Sequence, residues 1–159
     1  PLLAGEALFC GYYLNELLMH LLPREDAHEY LFASYGDMLR CLAEDPSGKV
    51  READLRRFEK ALLQELGYGL TLDRDSEGRA LQAEAYYTYR MEEGPVRVEH
   101  AEAAPQVVRG KTLLDLAGEN FADSRSRAEA KQLMRSLMAY YLSGTELTTR
   151  RIFKELQEL

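Results

Sequence analysis

The chain has 159 residues, a formal net charge of −7 and a pI of about 5.1, with 46% hydrophobic and 30% charged residues. That size and balance suit one globular domain with a real core, while the acidic balance argues against this chain alone gripping a nucleic-acid backbone tightly. No apolar run approaches the roughly 20 residues that span a bilayer, so no membrane role is expected.

The first element is helical. Leu3, Ala7, Cys10, Leu14, Leu17, Leu18 and Leu21 recur mostly at spacings of three and four, which is one face of a helix. Leu8, Phe9, Tyr12 and Tyr13 widen the stripe, and Pro23 ends it. Asp26, with Glu29 three residues on, reads as a capping box for a second helix carrying Tyr30, Leu31, Tyr35, Met38, Leu39 and Leu42. Residues 44–48 form a loop by composition. Arg51 to Leu66 reads as a third helix with Leu55, Phe58, Leu62 and Leu66 inward, and Gly67 sits where a left-handed backbone is needed.

Residues 73–84 are polar and unpatterned, a surface loop. Tyr86–Met91 and Val96–Val98, joined across Glu92-Glu93-Gly94-Pro95, predict a small hairpin. Thr112 and Asp115 suggest a cap for a short helix over Leu113–Leu116. Ser124 can cap a long helix with Ala128, Leu133, Leu137, Met138 and Tyr141 inward, closed by Gly144. Thr148 or Thr149 can cap a last helix with Ile152, Phe153 and Leu156. The predicted fold is mainly α: a bundle of about six helices over residues 1–159, with a loop-and-hairpin insert at 73–108.

Catalytic chemistry finds no constellation here. His20, His28 and His100 stand in no ligand spacing, and His20 suits a helix C-terminus. Gly110-Lys111-Thr112 copies the tail of a phosphate-binding loop, but Pro105 stands where that loop needs glycine. A turn into a helix is the simpler reading. The expectation is a binding protein rather than an enzyme, with no metal and no cofactor. Cys10 and Cys41 fall in apolar helical patterns and read as buried free thiols of a reducing, cytoplasmic compartment. No secretory signal is visible, and the opening Pro1 reads as a processed or truncated start.

Binding chemistry has more to work with. Residues 1–108 carry 11 Lys/Arg and 20 Asp/Glu, whereas residues 109–159 carry 9 and 7, so nucleic-acid contact is expected from the C-terminal third. Arg127, Lys131 and Arg135 are four apart and share a helix face. With Arg125, and with Arg150, Arg151 and Lys154 on the last helix, they form a candidate phosphate-tracking strip; a solvated face is the plain alternative. Tyr86, Tyr87 and Tyr89 could stack on single-stranded bases, but packing the hairpin is favoured. Arg56, Arg57 and Lys60 lie on or beside the solvated face of the third helix, where plain solubility and pairing with Glu52, Asp54 or Glu59 is the simplest role.

Three segments together resemble the RecO family of bacterial recombination mediators. They are Gly11-Tyr12-Tyr13-Leu14-Asn15-Glu16-Leu17-Leu18; Leu55-Arg56-Arg57-Phe58-Glu59-Lys60-Ala61-Leu62-Leu63 running into Leu66-Gly67-Tyr68-Gly69; and Leu142 to Phe153. They span nearly the whole chain in order. The resemblance implies the helical C-terminal part of such a protein, without its N-terminal OB-fold domain. It implies binding to RecR, to single- and double-stranded DNA (weakly for this part alone), and to the C-terminal tail of the single-strand-DNA-binding protein, in support of RecA loading and strand annealing. On that reading Arg56 clamps the tail's carboxylate with Arg57 and Lys60 as alternates, and Leu55, Leu14 and Tyr13 line a groove. Many family members carry zinc-ligand cysteines after the Gly-Tyr-Gly turn. Residues 70–109 contain none, so a zinc-finger-like region without zinc is expected. The alternative is a helical adaptor that binds only protein.

Overall fold

The computed structural model describes residues 2–45, 52–145, 147–149 and 151–152. They fall into two compact units, Pro1–Leu66 with Ala139–Leu159, and Gly67–Met138.

The first unit holds three helices: α1 (Gly5–Leu21), α2 (Glu29–Glu44) and α3 (Glu52–Glu65). α1 packs on α2, and α2 on α3. α1 buries Ala7, Cys10, Gly11, Leu14 and Leu17, the three-and-four spacing of the sequence, while Leu8 and Tyr12 stay exposed. The stripe is therefore narrower than the sequence suggests. Leu22 leaves the helix in extended backbone, as the Pro that follows demands. The capping box at Asp26 gives way: α2 starts at Glu29 behind His28, with no side-chain cap. Gly67 has φ +78°, the left-handed conformation expected after α3. Cys10 is buried, Cys41 half-buried, and both are free thiols.

The second unit holds a three-stranded antiparallel sheet with strand order β2-β1-β3: β1 (Tyr86–Arg90), β2 (Gly94–Val98) and β3 (Val108–Arg109). The first two strands are the expected hairpin; the third, two residues long, is legible only from its pairing with Tyr86 and Tyr87. The polar loop before them is pinned as well as exposed. Asp75 is buried and accepts from the Glu77 and Arg79 backbone N–H groups at 3.0 and 2.9 Å and from Arg79 Nε at 2.9 Å.

α4 (Gly110–Ala117) begins three residues earlier than predicted, and Thr112 lies inside it. α5 (Ser124–Tyr141) is the long helix. Its cap is Asp123 rather than Ser124: Asp123 Oδ1 accepts from the backbone N–H of Arg125 at 2.7 Å and of Ser126 at 3.1 Å, the standard N-cap geometry. Those two N–H groups and the Arg109 and Lys111 charges hold its carboxyl below the usual range, against the opposing effect of burial. α5 buries Ala130, Leu133, Met134, Leu137 and Met138, and leaves Ala128 exposed. Five helices are defined among the described residues against about six expected. Residues 148–149 and 151–152 are helical, and the rest of the predicted last helix, with Phe153, Lys154 and Leu156, lies outside the described residues, as does Arg150.

Candidate partner-binding and nucleic-acid surfaces

On α3, Arg56 and Glu59 stand three apart, so their side chains meet. Arg56 Nη2 donates to Glu59 Oε1 at 3.0 Å, and Tyr13 Oη on α1 donates to the same oxygen at 2.8 Å. Arg56 is 7% exposed and Glu59 2%. The expected solvated position of Arg56 is thus corrected. The face of α3 that turns inward carries Arg56, Phe58, Glu59, Ala61, Leu62 and Leu63, and a buried ion pair can sit there because Tyr13 supplies a further donor. Cys10 lies in the same field. Burial first, and the Glu59 carboxylate second, push its thiol up to about 12, with Arg56 pulling the other way.

Leu14 also changes place. It is fully buried, so it belongs to the core and does not line a groove. The residues left at the surface are Arg57, exposed, and Lys60, Leu55 and Tyr13, half-buried. Arg57 Nη1 donates to Asp54 Oδ1 at 2.6 Å. An exposed pair of this kind contributes about 0–1 kcal/mol.

A second device in this unit is Glu16. Its carboxylate accepts from the backbone N–H of Thr148 at 2.6 Å and of Thr149 at 2.9 Å, and from the Thr149 hydroxyl. Partial burial works against the charge, but these hydrogen bonds prevail and lower its pKa. α1 therefore caps the start of the last helical stretch, which carries the exposed Arg151. Sequence reading missed Glu16 because nothing local links residues more than 130 positions apart.

In the second unit, α5 carries four basic residues. Arg125 Nε donates to Glu129 Oε1 at 2.8 Å. Arg127 Nη1 donates to the Phe121 and Ala122 carbonyls at 2.7 and 2.8 Å. Lys131 and Arg135 are exposed. Glu129 also accepts from the Arg109 backbone N–H at 3.0 Å and from the Thr112 hydroxyl at 2.5 Å. Burial alone would raise its pKa; the hydrogen bonds from Thr112, Arg109 and Arg125 and the Arg109 charge outweigh burial and lower it. Thr112 is thus tied to α5 and caps nothing.

The start of α4 has no room for a phosphate. Gly110 and Lys111 give their backbone N–H groups to the Ala85 and Ala83 carbonyls at 2.8 and 2.9 Å. Lys111 Nζ is 2.7 Å from Asp115 Oδ2, and a Cβ on Gly110 would stand 1.9 Å from the Gln82 carbonyl oxygen. Two of the three hairpin tyrosines are packing residues. Tyr87 is 1% exposed and its hydroxyl accepts from the Gln82 N–H at 3.0 Å; that of Tyr89 accepts from the Thr71 N–H at 3.1 Å. Among the described residues no group of three His, Cys, Asp or Glu side chains could hold a metal. Leu72, Leu81, Tyr87 and Val108 are buried in this unit.

Residues 2–151 match the family model described as Recombination protein O C terminal. The chain belongs to the RecO C-terminal family. Among similar proteins, the DNA repair protein RecO of Dechloromonas aromatica (strain RCB) is 76% identical over all 159 residues, that of Azoarcus sp. (strain BH72) 47% over the whole chain, and that of Thiobacillus denitrificans (strain ATCC 25259 / T1) 44% over 98% of it. The chain spans 66%, 66% and 62% of those proteins' lengths. Within the RecO resemblance, the structure gives the motifs physical content. The N-terminal segment donates Tyr13 to Glu59 of the second and offers Glu16 to Thr148 and Thr149 of the third.

Proposed function

We propose that this chain is the helical part of a DNA-repair recombination mediator. It binds the acidic, apolar C-terminal tail of the single-strand-DNA-binding protein, engages RecR and DNA, and through these contacts promotes RecA loading and strand annealing. It works by binding and performs no covalent chemistry. The observation that carries this reading is the family match over residues 2–151, together with relatives named DNA repair protein RecO.

The exposed part of α3 supplies the tail site: Arg57 takes the terminal carboxylate with Lys60 beside it, and Leu55 and Tyr13 take the apolar side chain, while Arg56 and Leu14 are buried. DNA phosphates meet Lys131 and Arg135 in the second unit; Arg150, Arg151 and Lys154 in the first unit are further candidates, of which Arg150 and Lys154 lie outside the described residues. Arg125 and Arg127 reach a phosphate by giving up the acceptors they hold within the unit. The same internal pairing, with the net charge of −7, favours the second reading, an adaptor that binds protein alone.

Fluorescence anisotropy of a labelled tail peptide titrated with the chain tests the first contact. Saturable binding that weakens when the peptide's last residue is deleted is expected. Equal affinity for both peptides would sink the tail-binding assignment. A DNA interaction that is absent, or insensitive to salt, in the full-length protein would leave the adaptor reading.

A further inference from the structure

At the corner between α1 and α2 lies a cavity of about 190 Å³, lined by Leu18, Leu22, Asp26, His28, Leu31, Phe32 and Tyr35. Leu31 is buried and forms its floor; Leu18, Leu22 and Tyr35 are half-buried walls. Phe32 is 77% exposed. An apolar cavity of ~150 Å³ accepts a benzene ring, so this one has space for a single large side chain.

The walls are fixed before anything binds. Tyr35 donates its hydroxyl to Asn15 on α1, and its ring lies 6.4 Å from that of Phe58. His28 has Nδ1 3.2 Å from Glu65 Oε1 and Nε2 3.5 Å from Asp26 Oδ2. Such a preformed, mostly apolar recess with an exposed aromatic beside it is the usual anatomy of a protein-binding anchor site. Asp26 supplies a carboxylate to its lining. Close by in sequence, Glu25 on the connection and Glu29 at the first residue of α2 are also exposed, against one exposed cation, Arg24, and Glu65 pairs with His28. Glu25 adopts φ +68°, a conformation that side-chain-bearing residues rarely take, so the backbone holds a carboxylate where glycine would be the easier fit.

We propose that this corner is a docking site for a basic segment of a partner protein, one that inserts a single phenylalanine or leucine and sets Lys or Arg side chains against Asp26 and Glu29. Charge complementarity selects this occupant: an acidic peptide would meet like charge at Asp26. The site is separate from the α3 surface assigned above, and its chemistry is opposite in sign.

Three labelled peptides of equal length test it by anisotropy with the 159-residue chain: glycine-serine arms around Lys-Lys-Phe-Lys-Lys, around Glu-Glu-Phe-Glu-Glu, and around Lys-Lys-Gly-Lys-Lys. The basic phenylalanine peptide binds saturably, less tightly as salt rises, and shifts the methyl resonances of Leu18, Leu22 and Leu31. The other two bind at least about tenfold more weakly, as does the first peptide to Phe32→Ala or to Asp26→Lys/Glu29→Lys, a loss of about 1.4 kcal/mol or more. Phe32, Asp26 and Glu29 are exposed, so circular dichroism of these variants should match the parent. Equal or tighter binding of the acidic peptide at those leucines would overturn the proposal. So would unchanged affinity in Phe32→Ala, no binding of the basic peptide, or a concentration-dependent dimer that shifts the same leucines without peptide and so gives the groove to a second copy.

Discussion

Two helices carry similar clusters of arginine and lysine, and the fold treats them in opposite ways. On α3 the first arginine of the Arg56-Arg57 pair is drawn inside and closed off by Glu59 and Tyr13, and only its neighbour reaches solvent. On α5, in the other unit, all four basic residues keep contact with solvent, yet Arg125 and Arg127 spend their donors on Glu129 and on loop carbonyls. A basic run in a sequence therefore says little about how many cations a partner can reach. What decides is how the nearby carboxylate is held: Glu59, three residues from Arg56, is buried and accepts from the Tyr13 hydroxyl as well, whereas Glu129, four residues from Arg125, leaves that arginine at the surface.

The sharpest way to break this comparison is to remove the buried arginine. Arg56→Ala leaves Glu59 charged at 2% exposure, and losing one partner of a buried pair costs about 3–5 kcal/mol. Chemical denaturation should show that loss, whereas Arg56→Ala with Glu59→Ala should recover part of it. Next comes Glu129→Ala, which strands the Arg109 N–H and the Thr112 hydroxyl. A buried donor left unsatisfied costs about 1–3 kcal/mol, and the thermal midpoint should fall accordingly, while Arg125→Ala should stay near the parent. In DNA titrations against salt, Lys131→Ala and Arg135→Ala should each lower the slope by about one.

Smallest is the effect of acid on the Glu16 tie. Its folded pKa is depressed, so its contribution is complete above the ordinary glutamate value of 4.5 and is lost as pH falls through the lower folded value. Amide resonances of Thr148 and Thr149 should follow that step, and Glu16→Gln should abolish it.

Much of this architecture was legible in the chain. The three-and-four spacing of Ala7, Cys10, Leu14 and Leu17 located α1, Gly67 marked the end of α3, and the tyrosine-rich run gave the hairpin. These signals are local: periodicity, backbone freedom and β propensity act within a few residues. Of the candidate partner surfaces, only the residue types were legible. Helical spacing fixes which residues share a face, but not that an arginine can be kept on the inner face by a glutamate that also accepts from a phenol on another helix. Leu14 erred in the other direction, being apolar enough for a groove yet wholly in the core. The caps failed for a related reason. Asp26 and Thr112 have the right chemistry, but His28 opens α2 and Glu129, from a different helix, takes the Thr112 hydroxyl.

The most direct test measures stability and tail-peptide affinity on the same two variants. Arg56→Ala is predicted to lose several kcal/mol of stability, about 3–5, and to bind the peptide as the parent does where it remains folded. Arg57→Ala is predicted to keep its stability and to lose about 1.5–3 kcal/mol of binding. The reverse pattern, with affinity lost in Arg56→Ala at unchanged stability and retained in Arg57→Ala, would contradict the account.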